Sequence, residues 1–179
     1  MIKKAARVGS ERRAATYSDD ERHRYDLVVD FDDEKEAAAR SGTCVFIGLN
    51  PSTATELVDD RTVRRCKNFA LGWGFARFVM LNAYGFRSTD PLGLWAVADP
   101  VGPGNDRAIR RWSADADRIC LAWGTHIRDD RRQRLLGLLA PVADRCVCLG
   151  LNNNGSPKHP LYLAASTLPV IYSGHAAGT

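Results

Sequence analysis

The chain has 179 residues, which predicts a single domain, and its 26% of charged residues is ordinary for a globular protein. The formal net charge of +4, from 25 basic and 21 acidic residues, permits a nucleic-acid partner without requiring one. No apolar run approaches the ~20 residues that span a bilayer, and no secretory leader is visible, so we expect no contact with a membrane.

The first part of the chain predicts little regular structure. Residues 1–24 are charged and lack hydrophobic periodicity, so we expect a flexible N-terminal arm. A single α/β domain over residues 25–179 follows, and it begins with a short strand at residues 27–29. Residues 35–40 are polar and rich in alanine, which predicts a turn or a short helix.

Strands and helices alternate along the rest of the chain. Continuous apolar runs predict buried strands at residues 43–48, 78–81, 119–123 and 146–150, with a last short strand at 170–172. Helical spacing of apolar residues predicts helices over 60–73 and 128–139, and another that ends near Trp112 with Asn105 or Asp106 as its N-cap. This alternation is typical of βαβ units, so we expect a doubly wound, three-layer α/β/α domain with a central, mostly parallel four-stranded sheet.

The cysteines favour a structural interpretation. There are five, an odd number, and no two form a Cys-x-x-Cys pair. Four of them lie in predicted strands, at Cys44, Cys120, Cys146 and Cys148. We therefore expect reduced core residues in a cytoplasmic protein, with no metal and no cofactor.

Polar or glycine-containing loops follow the four longer strands. They contain Asn50, Asn82, residues 124–126 and residues 152–159. The carboxyl ends of parallel strands meet at one edge of a sheet, where open α/β folds place their ligands. We therefore expect one candidate site at this edge, with Asn50 and His159 facing the same crevice.

Two interpretations of Asn50 remain open. Residues 50–52 form either a turn that leaves the strand, with Ser52 or Thr53 capping a helix, or a site for a water molecule. The amide oxygen of Asn50 accepts a hydrogen bond from water but cannot take its proton at neutral pH. Such a residue suits a reaction whose transition state is an oxocarbenium ion, because bond breaking there runs ahead of attack by water.

His159 lies between Lys158 and Pro160, in a loop that the prolines make stiff. It is either a loop histidine without a role or a hydrogen-bond donor to a leaving group that becomes an anion. In the second interpretation, Lys158 and Ser156 hold a phosphate group.

Asn82 ends a predicted strand, and its amide offers a donor and an acceptor together. An amide with this pattern can form hydrogen bonds with the Watson–Crick edge of a flipped base. The alternative interpretation is that the Asn82 amide pairs with nearby backbone groups. Three aromatic residues are candidate stacking platforms or, alternatively, packing residues: Trp73, Tyr84 and Phe86.

Other polar residues also have two interpretations. Asp59 and Asp60 either cap the following helix or order the water at Asn50. The arginines of residues 128–134 form a solvated face or contact a DNA backbone. We interpret His126 as structural, because its spacing to other residues matches no metal site.

These motifs resemble a known superfamily. Over about residues 43–163, the chain is similar to uracil-DNA glycosylases in four motifs, which are, in order, GLNPS, LNAYGFRSTDP, LAWGTH and CLGLNNNGSPKHPLYL. More narrowly, the chain resembles a microbial domain-of-unknown-function family (1643) over about residues 25–165, through the motifs FIGLNPST, TVRRC, DPVGPGND and GSPKHPLYL. The chain departs from the glycosylase pattern at Leu161, where serine is usual, and it lacks the block that excludes thymine and the cluster cysteines. The target base therefore stays open.

The glycosylase resemblance implies a uracil-DNA-glycosylase-like fold and a role for individual residues. Asn50 would position the water, Asn82 would read the base, and His159 would stabilise the departing base anion. The remaining implied contacts are to the base, from Tyr84 and Phe86, and to DNA phosphates, from Ser52, Arg87, Ser156 and Lys158.

The expected function follows from these roles. We expect a monomeric DNA glycosylase that hydrolyses the N-glycosidic bond of a damaged or modified pyrimidine in DNA, without a cofactor. Two alternatives stay open. One is an enzyme that acts on free nucleosides or nucleotides, and the other is a non-catalytic nucleic-acid-binding protein of the same fold.

Overall fold

A computed structural model describes residues 1–32 and 39–174 of the chain. Within these ranges eight strands form one mixed sheet. In chain order they are β1 (Ile2–Val8), β2 (Glu11–Tyr17), β3 (Arg24–Phe31), β4 (Thr43–Gly48), β5 (Arg77–Asn82), β6 (Arg118–Leu121), β7 (Cys146–Cys148) and β8 (Val170–Ile171). Their order across the sheet is β1-β2-β3-β5-β4-β6-β7-β8.

The predicted sheet architecture is wrong. Of the seven strand pairings in the described ranges, four are antiparallel: β1 with β2, β2 with β3, β3 with β5, and β7 with β8. The expected central, mostly parallel four-stranded sheet, and with it the uracil-DNA-glycosylase-like architecture, is therefore replaced by a mixed eight-stranded sheet. The search for continuous apolar runs misses β1 and β2, because both strands carry charged side chains along their length.

The interpretation of residues 1–24 as a flexible arm is wrong as well. Strands β1 and β2 form an antiparallel hairpin, and β2 adds to the sheet along the whole of β3. Every second residue at the end of β2 is buried, at Arg13, Ala15 and Tyr17. The buried residues recur every second position, as in a half-buried strand. This pattern is hard to recognise in the sequence, because Arg13 is charged and Ala15 is small.

Strands β5, β4, β6 and β7 are neighbours and run parallel to one another. Gly48 at the end of β4 is paired with Asn82 at the end of β5. The ladder continues past the strands, because the amide of Ala83 donates to the Gly48 carbonyl at 2.8 Å. The carboxyl ends of these strands, and the loops that follow them, are thereby held at one edge.

Helices cover both faces of the sheet. They are α1 (Arg61–Gly72), α2 (Asn105–Ala114) and α3 (Asp129–Leu139). Alternate residues of β4 point to opposite faces: Phe46 packs in the cluster that contains α1, and Ile47 packs in the cluster that contains α2 and α3. None of the helices in the described ranges is both long and apolar enough to cross a lipid bilayer.

Several local predictions are confirmed. The strands and helices predicted after residue 42 are present within a few residues of their expected bounds. All five cysteines are free and buried. Asp60 caps α1, since its Oδ1 accepts a hydrogen bond from the Val63 amide at 2.8 Å.

Two local predictions have other outcomes. The N-cap of α2 is Gly104, so neither Asn105 nor Asp106 caps that helix. The turn or short helix predicted at 35–40 lies mostly outside the described residues.

Candidate functional site

A cavity of about 730 Å³ opens where β4, β5 and β6 end, beside the loop that follows β7. Its volume lies within the range of roughly 300–1,000 Å³ that is typical of small-molecule sites. Its wall contains five of the residues predicted from sequence: Asn50, Ser52, Asn82, Lys158 and His159. The side chains that carry the functional hypothesis therefore meet at one cavity.

Four other predicted site residues lie away from the cavity wall. Tyr84 is buried in the core, where its hydroxyl accepts a hydrogen bond from the Arg128 amide at 3.1 Å. Ser156 is 4% exposed, and its carbonyl accepts hydrogen bonds from Asn152. These contacts place Tyr84 and Ser156 in structural positions.

The remaining two pack against other side chains. The Phe86 ring meets the His23 ring edge to face, with centroids 5.6 Å apart. The Arg87 guanidinium lies over the Tyr17 ring, 5.5 Å from its centroid. Trp73, the third candidate stacking platform, is partly buried and stacks on the core residue Phe46, with ring centroids 5.7 Å apart.

Asn82 is the most unusual residue of the site. It is 1% exposed, and neither its Oδ1 nor its Nδ2 has a hydrogen-bond partner among the described residues. A buried amide without partners costs roughly 1–3 kcal/mol, so native proteins rarely keep one without a use. Its backbone is held in place, because Asn105 Nδ2 donates to the Asn82 carbonyl at 3.0 Å.

The position of the Asn82 amide depends on a neighbouring glycine. A Cβ atom at Gly48 would lie 3.0 Å from Asn82 Oδ1 and 2.6 Å from Met80 Cε. Because Gly48 has no side chain, the amide of Asn82 has room beside β4.

Asn50 is held with a defined amide orientation. Its Nδ2 donates to the Ser88 carbonyl at 2.8 Å and to the Pro51 carbonyl at 3.0 Å. No described residue donates a hydrogen bond to its Oδ1, which leaves an acceptor at the cavity wall. This orientation is the one that a water-positioning role requires.

His159 is a neutral hydrogen-bond donor in this environment. Its Nδ1 accepts a hydrogen bond from the Leu161 amide at 3.3 Å, which assigns the proton of the neutral ring to Nε2. Burial lowers the pKa of the His159 ring below 6.5, and the nearby Asp60 charge opposes that shift in part. The neutral ring is therefore the dominant form at pH 7, with Nε2–H available to a ligand.

Sequence reasoning missed other parts of the wall. Arg24, at the start of β3, lines the cavity, although we assigned it to the end of a flexible arm. Trp123 also lines it, and its indole Nε1 is buried without a partner among the described residues. His126, interpreted as structural, is exposed on the same wall. In the sequence, the one feature that could have indicated a structured position for Arg24 is that it directly precedes an apolar strand.

Asp60 has two roles. It caps α1 and also lies on the cavity wall, while Asp59 pairs with Arg13 and Lys67 away from the cavity. The sequence left open whether these carboxylates serve the helix or the site. Capping is confirmed for Asp60, and its charge acts on His159 in addition.

Fold and cavity together define a mixed-sheet α/β protein with a polar cavity at the ends of its parallel strands. Residues 24–161 match the model of a family described as "Protein of unknown function (DUF1643)", and the chain belongs to that family. This confirms the narrower of the two resemblances. No curated protein shows significant similarity to the chain.

Proposed function

We propose that this protein hydrolyses the N-glycosidic bond of a damaged or modified pyrimidine nucleotide in DNA. The observation that carries the proposal is the buried Asn82 amide, which lies on the same cavity as Asn50 and His159 and whose donor and acceptor find no partner among the described residues. A pyrimidine with a carbonyl beside a ring N–H presents the complementary pair of groups, so the base would satisfy both ends of the amide.

His159 would stabilise the leaving base. When the bond between C1′ and the base nitrogen breaks, its electron pair stays on the base and spreads onto a ring carbonyl oxygen. The Nε2–H of a neutral imidazole can donate to that oxygen as the charge develops. The hydrogen bond from Leu161 to Nδ1 supports this role, because it holds the proton on Nε2.

Asn50 would hold the water that attacks C1′. Its Oδ1 accepts a hydrogen bond from that water, while the hydrogen bond from its Nδ2 to Ser88 keeps the amide from turning. An amide does not take a proton, so the sugar must already carry positive charge when water adds. The water proton then passes to solvent or to the departing base anion.

Two features of the wall support a substrate in DNA. Lys158 is exposed on the wall beside His159, where a cation can meet a backbone phosphate. Tyr162 also belongs to the wall and is 84% exposed, and its ring lies 6.2 Å from that of His159. An exposed aromatic ring at this position could stack on a neighbouring base.

A second candidate function is hydrolysis of a free nucleotide in the same cavity. The observation that favours it is Arg24, a buried cation in the wall, because a DNA backbone would meet mainly exposed cations at the mouth. The two candidates differ in salt dependence. Binding to a DNA strand weakens steeply as salt rises, whereas binding of a free nucleotide with a single phosphate group weakens much less.

The proposed activity is tested on oligonucleotides that carry uracil, mismatched thymine, hydroxymethylated or glycosylated pyrimidines, with alkali cleavage to reveal abasic sites. We expect base release from at least one of them, and a loss of about 100-fold or more in Asn50→Ala and in His159→Ala. Asn153→Ala, an exposed change in the same loop as His159, is the control and should keep its activity. Near-normal base release by both site variants would exclude the assignment.

A further inference from the structure

Arg24 is a buried cation that the protein itself leaves almost without partners. It is 1% exposed and lies on the cavity wall. Its side chain makes one hydrogen bond among the described residues, from Nη1 to the Ala54 carbonyl at 2.5 Å, and its Nε has no partner there. An arginine has five N–H donors, so most of its capacity is unused.

Other buried arginines of this fold show the usual arrangement. Arg13 is 4% exposed and forms a salt bridge with Asp59. Arg131 is 6% exposed and forms one with Asp106 at 2.6 Å. Arg24 is buried more deeply than either, yet no carboxylate of the described chain forms a salt bridge with it. This contrast matters because a charge removed from water is normally paired.

The charges of Asp60 and Asp26 act on Arg24 from a distance, but no described carboxylate forms a salt bridge with it. Asp60 lies on the same cavity wall but accepts the capping hydrogen bond of α1. Asp26 accepts a hydrogen bond from the Trp112 indole at 3.0 Å. The Tyr17 hydroxyl donates to Glu56 at 2.8 Å. Burial lowers the pKa of the Arg24 guanidinium to about 10, so it stays charged at neutral pH.

We propose that Arg24 is the cation of an oxyanion subsite inside the cavity, and that this subsite holds a phosphate group of the ligand. A guanidinium binds two oxygens of a phosphate at once, which uses donors that the protein leaves free. Because Asn82 lies on the same cavity, one ligand would carry both a base edge and a phosphate, which makes it a nucleotide. That last step rests on the proposed function, while the oxyanion subsite itself does not.

The phosphate could belong to a free nucleotide or to a nucleotide within a DNA strand. Binding of three probes distinguishes these sources: deoxyuridine, deoxyuridine 5′-monophosphate, and a short uracil-containing single strand. We expect the wild type to bind the monophosphate at least about tenfold more tightly than the nucleoside, as one charge-assisted hydrogen-bonding group would give. A preference for the strand that disappears at high salt assigns the phosphate to DNA, and a salt-tolerant preference for the monophosphate assigns it to a free nucleotide.

The matched variants are Arg24→Met, which keeps an unbranched apolar stem and removes the guanidinium, and Arg110→Met, on an exposed arginine of α2. Arg24→Met should bind nucleoside and monophosphate equally, and Arg110→Met should behave as the wild type. Without ligand, the Tm of Arg24→Met should equal or exceed that of the wild type, because an unpaired buried charge is lost. Arg24→Lys should retain only part of the discrimination, because it lacks the planar fork.

Two results would overturn the subsite: equal wild-type affinity for nucleoside and monophosphate, or discrimination that survives in Arg24→Met. A Tm of Arg24→Met far below that of the wild type would show a structural partner and would also count against it. These readouts measure binding, so they are separate from base release. A protein that prefers phosphate through Arg24 but releases no base contradicts the proposed function alone.

Discussion

At the scale of single residues, the site consists of polar groups that the protein positions but does not satisfy. Asn50 Oδ1 and both polar atoms of the Asn82 amide have no hydrogen-bond partner among the described residues. His159 has one nitrogen occupied by the Leu161 amide and the other free to donate. Each side chain is held by a second contact or by burial, which is how a preorganised site is built.

The protonation of His159 can be measured directly. Its pKa is lowered in the folded state, so the unfolded chain binds the proton first as pH falls. The contribution of His159 to stability is therefore complete above its ordinary pKa of 6.5 and decreases as pH falls through the lower folded pKa. Activity should follow the same direction, because protonation of Nδ1 breaks the hydrogen bond from Leu161.

An NMR titration of the ring gives the midpoint, and a parallel pH profile of base release gives the functional value. We expect both below 6.5, so that less than half of the activity is lost at pH 6.5. A midpoint for His159 at or above 6.5 would contradict this account.

At the scale of elements, the parallel pairing of β4 and β5 determines the geometry of the site. Gly48 and Asn82 are paired in register at the ends of these strands. The two residues that follow β5 continue the ladder, since the amides of Ala83 and Tyr84 donate to the carbonyls of Gly48 and Leu49, both at 2.8 Å. The loop with Asn50 and the end of β5 with Asn82 therefore move together.

Gly48→Ala tests this coupling. The new methyl group would lie 3.0 Å from Asn82 Oδ1, so the amide must shift by a few tenths of an ångström. Met80 Cε, at 2.6 Å, is the flexible end of a side chain and can move aside. We expect a folded protein whose base release or nucleotide affinity falls about tenfold, since misplacement by ~1 Å costs up to about 100-fold.

Gly137→Ala in α3 is the matched control, because a Cβ atom there meets nothing within 4 Å. It should leave ligand binding unchanged and raise the free energy of unfolding by about 1 kcal/mol, as alanine is the better helix former. Circular dichroism and denaturant unfolding measure both variants. Full activity in Gly48→Ala would show that the Asn82 amide is not confined by β4.

At the scale of the whole molecule, the N-terminal hairpin is joined to the wall of the cavity through buried charges. Arg13 of β2 pairs with Asp59, which lies in the segment between β4 and α1. Lys67 of α1 bonds both Asp59, at 2.6 Å, and Glu11 of β2, at 2.7 Å. Since Asn50, Ser52 and Asp60 belong to the same segment, the hairpin contributes to the stability of the site.

Arg13→Ala should lower the free energy of unfolding by about 3 kcal/mol, because it leaves the buried Asp59 with only one cation. Arg12→Ala is the control on the same strand. Its side chain is 62% exposed and lies 3.7 Å from Asp32, so removing it should cost less than about 0.5 kcal/mol. Urea unfolding compares the two. Equal losses in both variants would show that the buried network does not hold the hairpin to the site.

The local elements and the candidate site residues follow from the order of amino acids along the chain. Apolar runs and helical spacing predict β4 to β8 and the three helices, because a buried face requires apolar residues at regular intervals along the sequence. The loops that follow those runs contain Asn50, Asn82 and His159, and the structure places all three on one cavity. Their chemical roles stay predictions.

The pairing of the strands and the arrangement of the buried charges become visible in the folded chain alone. Charged residues interrupt the apolar residues of β1 and β2, so the place of this hairpin in the sheet depends on the antiparallel pairing of β2 with β3 and on salt bridges to distant segments. The same holds for Arg24, whose burial at the cavity results from packing between residues remote in sequence. The hydrophobic pattern of a segment indicates which of its residues are buried, but it does not indicate which residues from distant segments they contact.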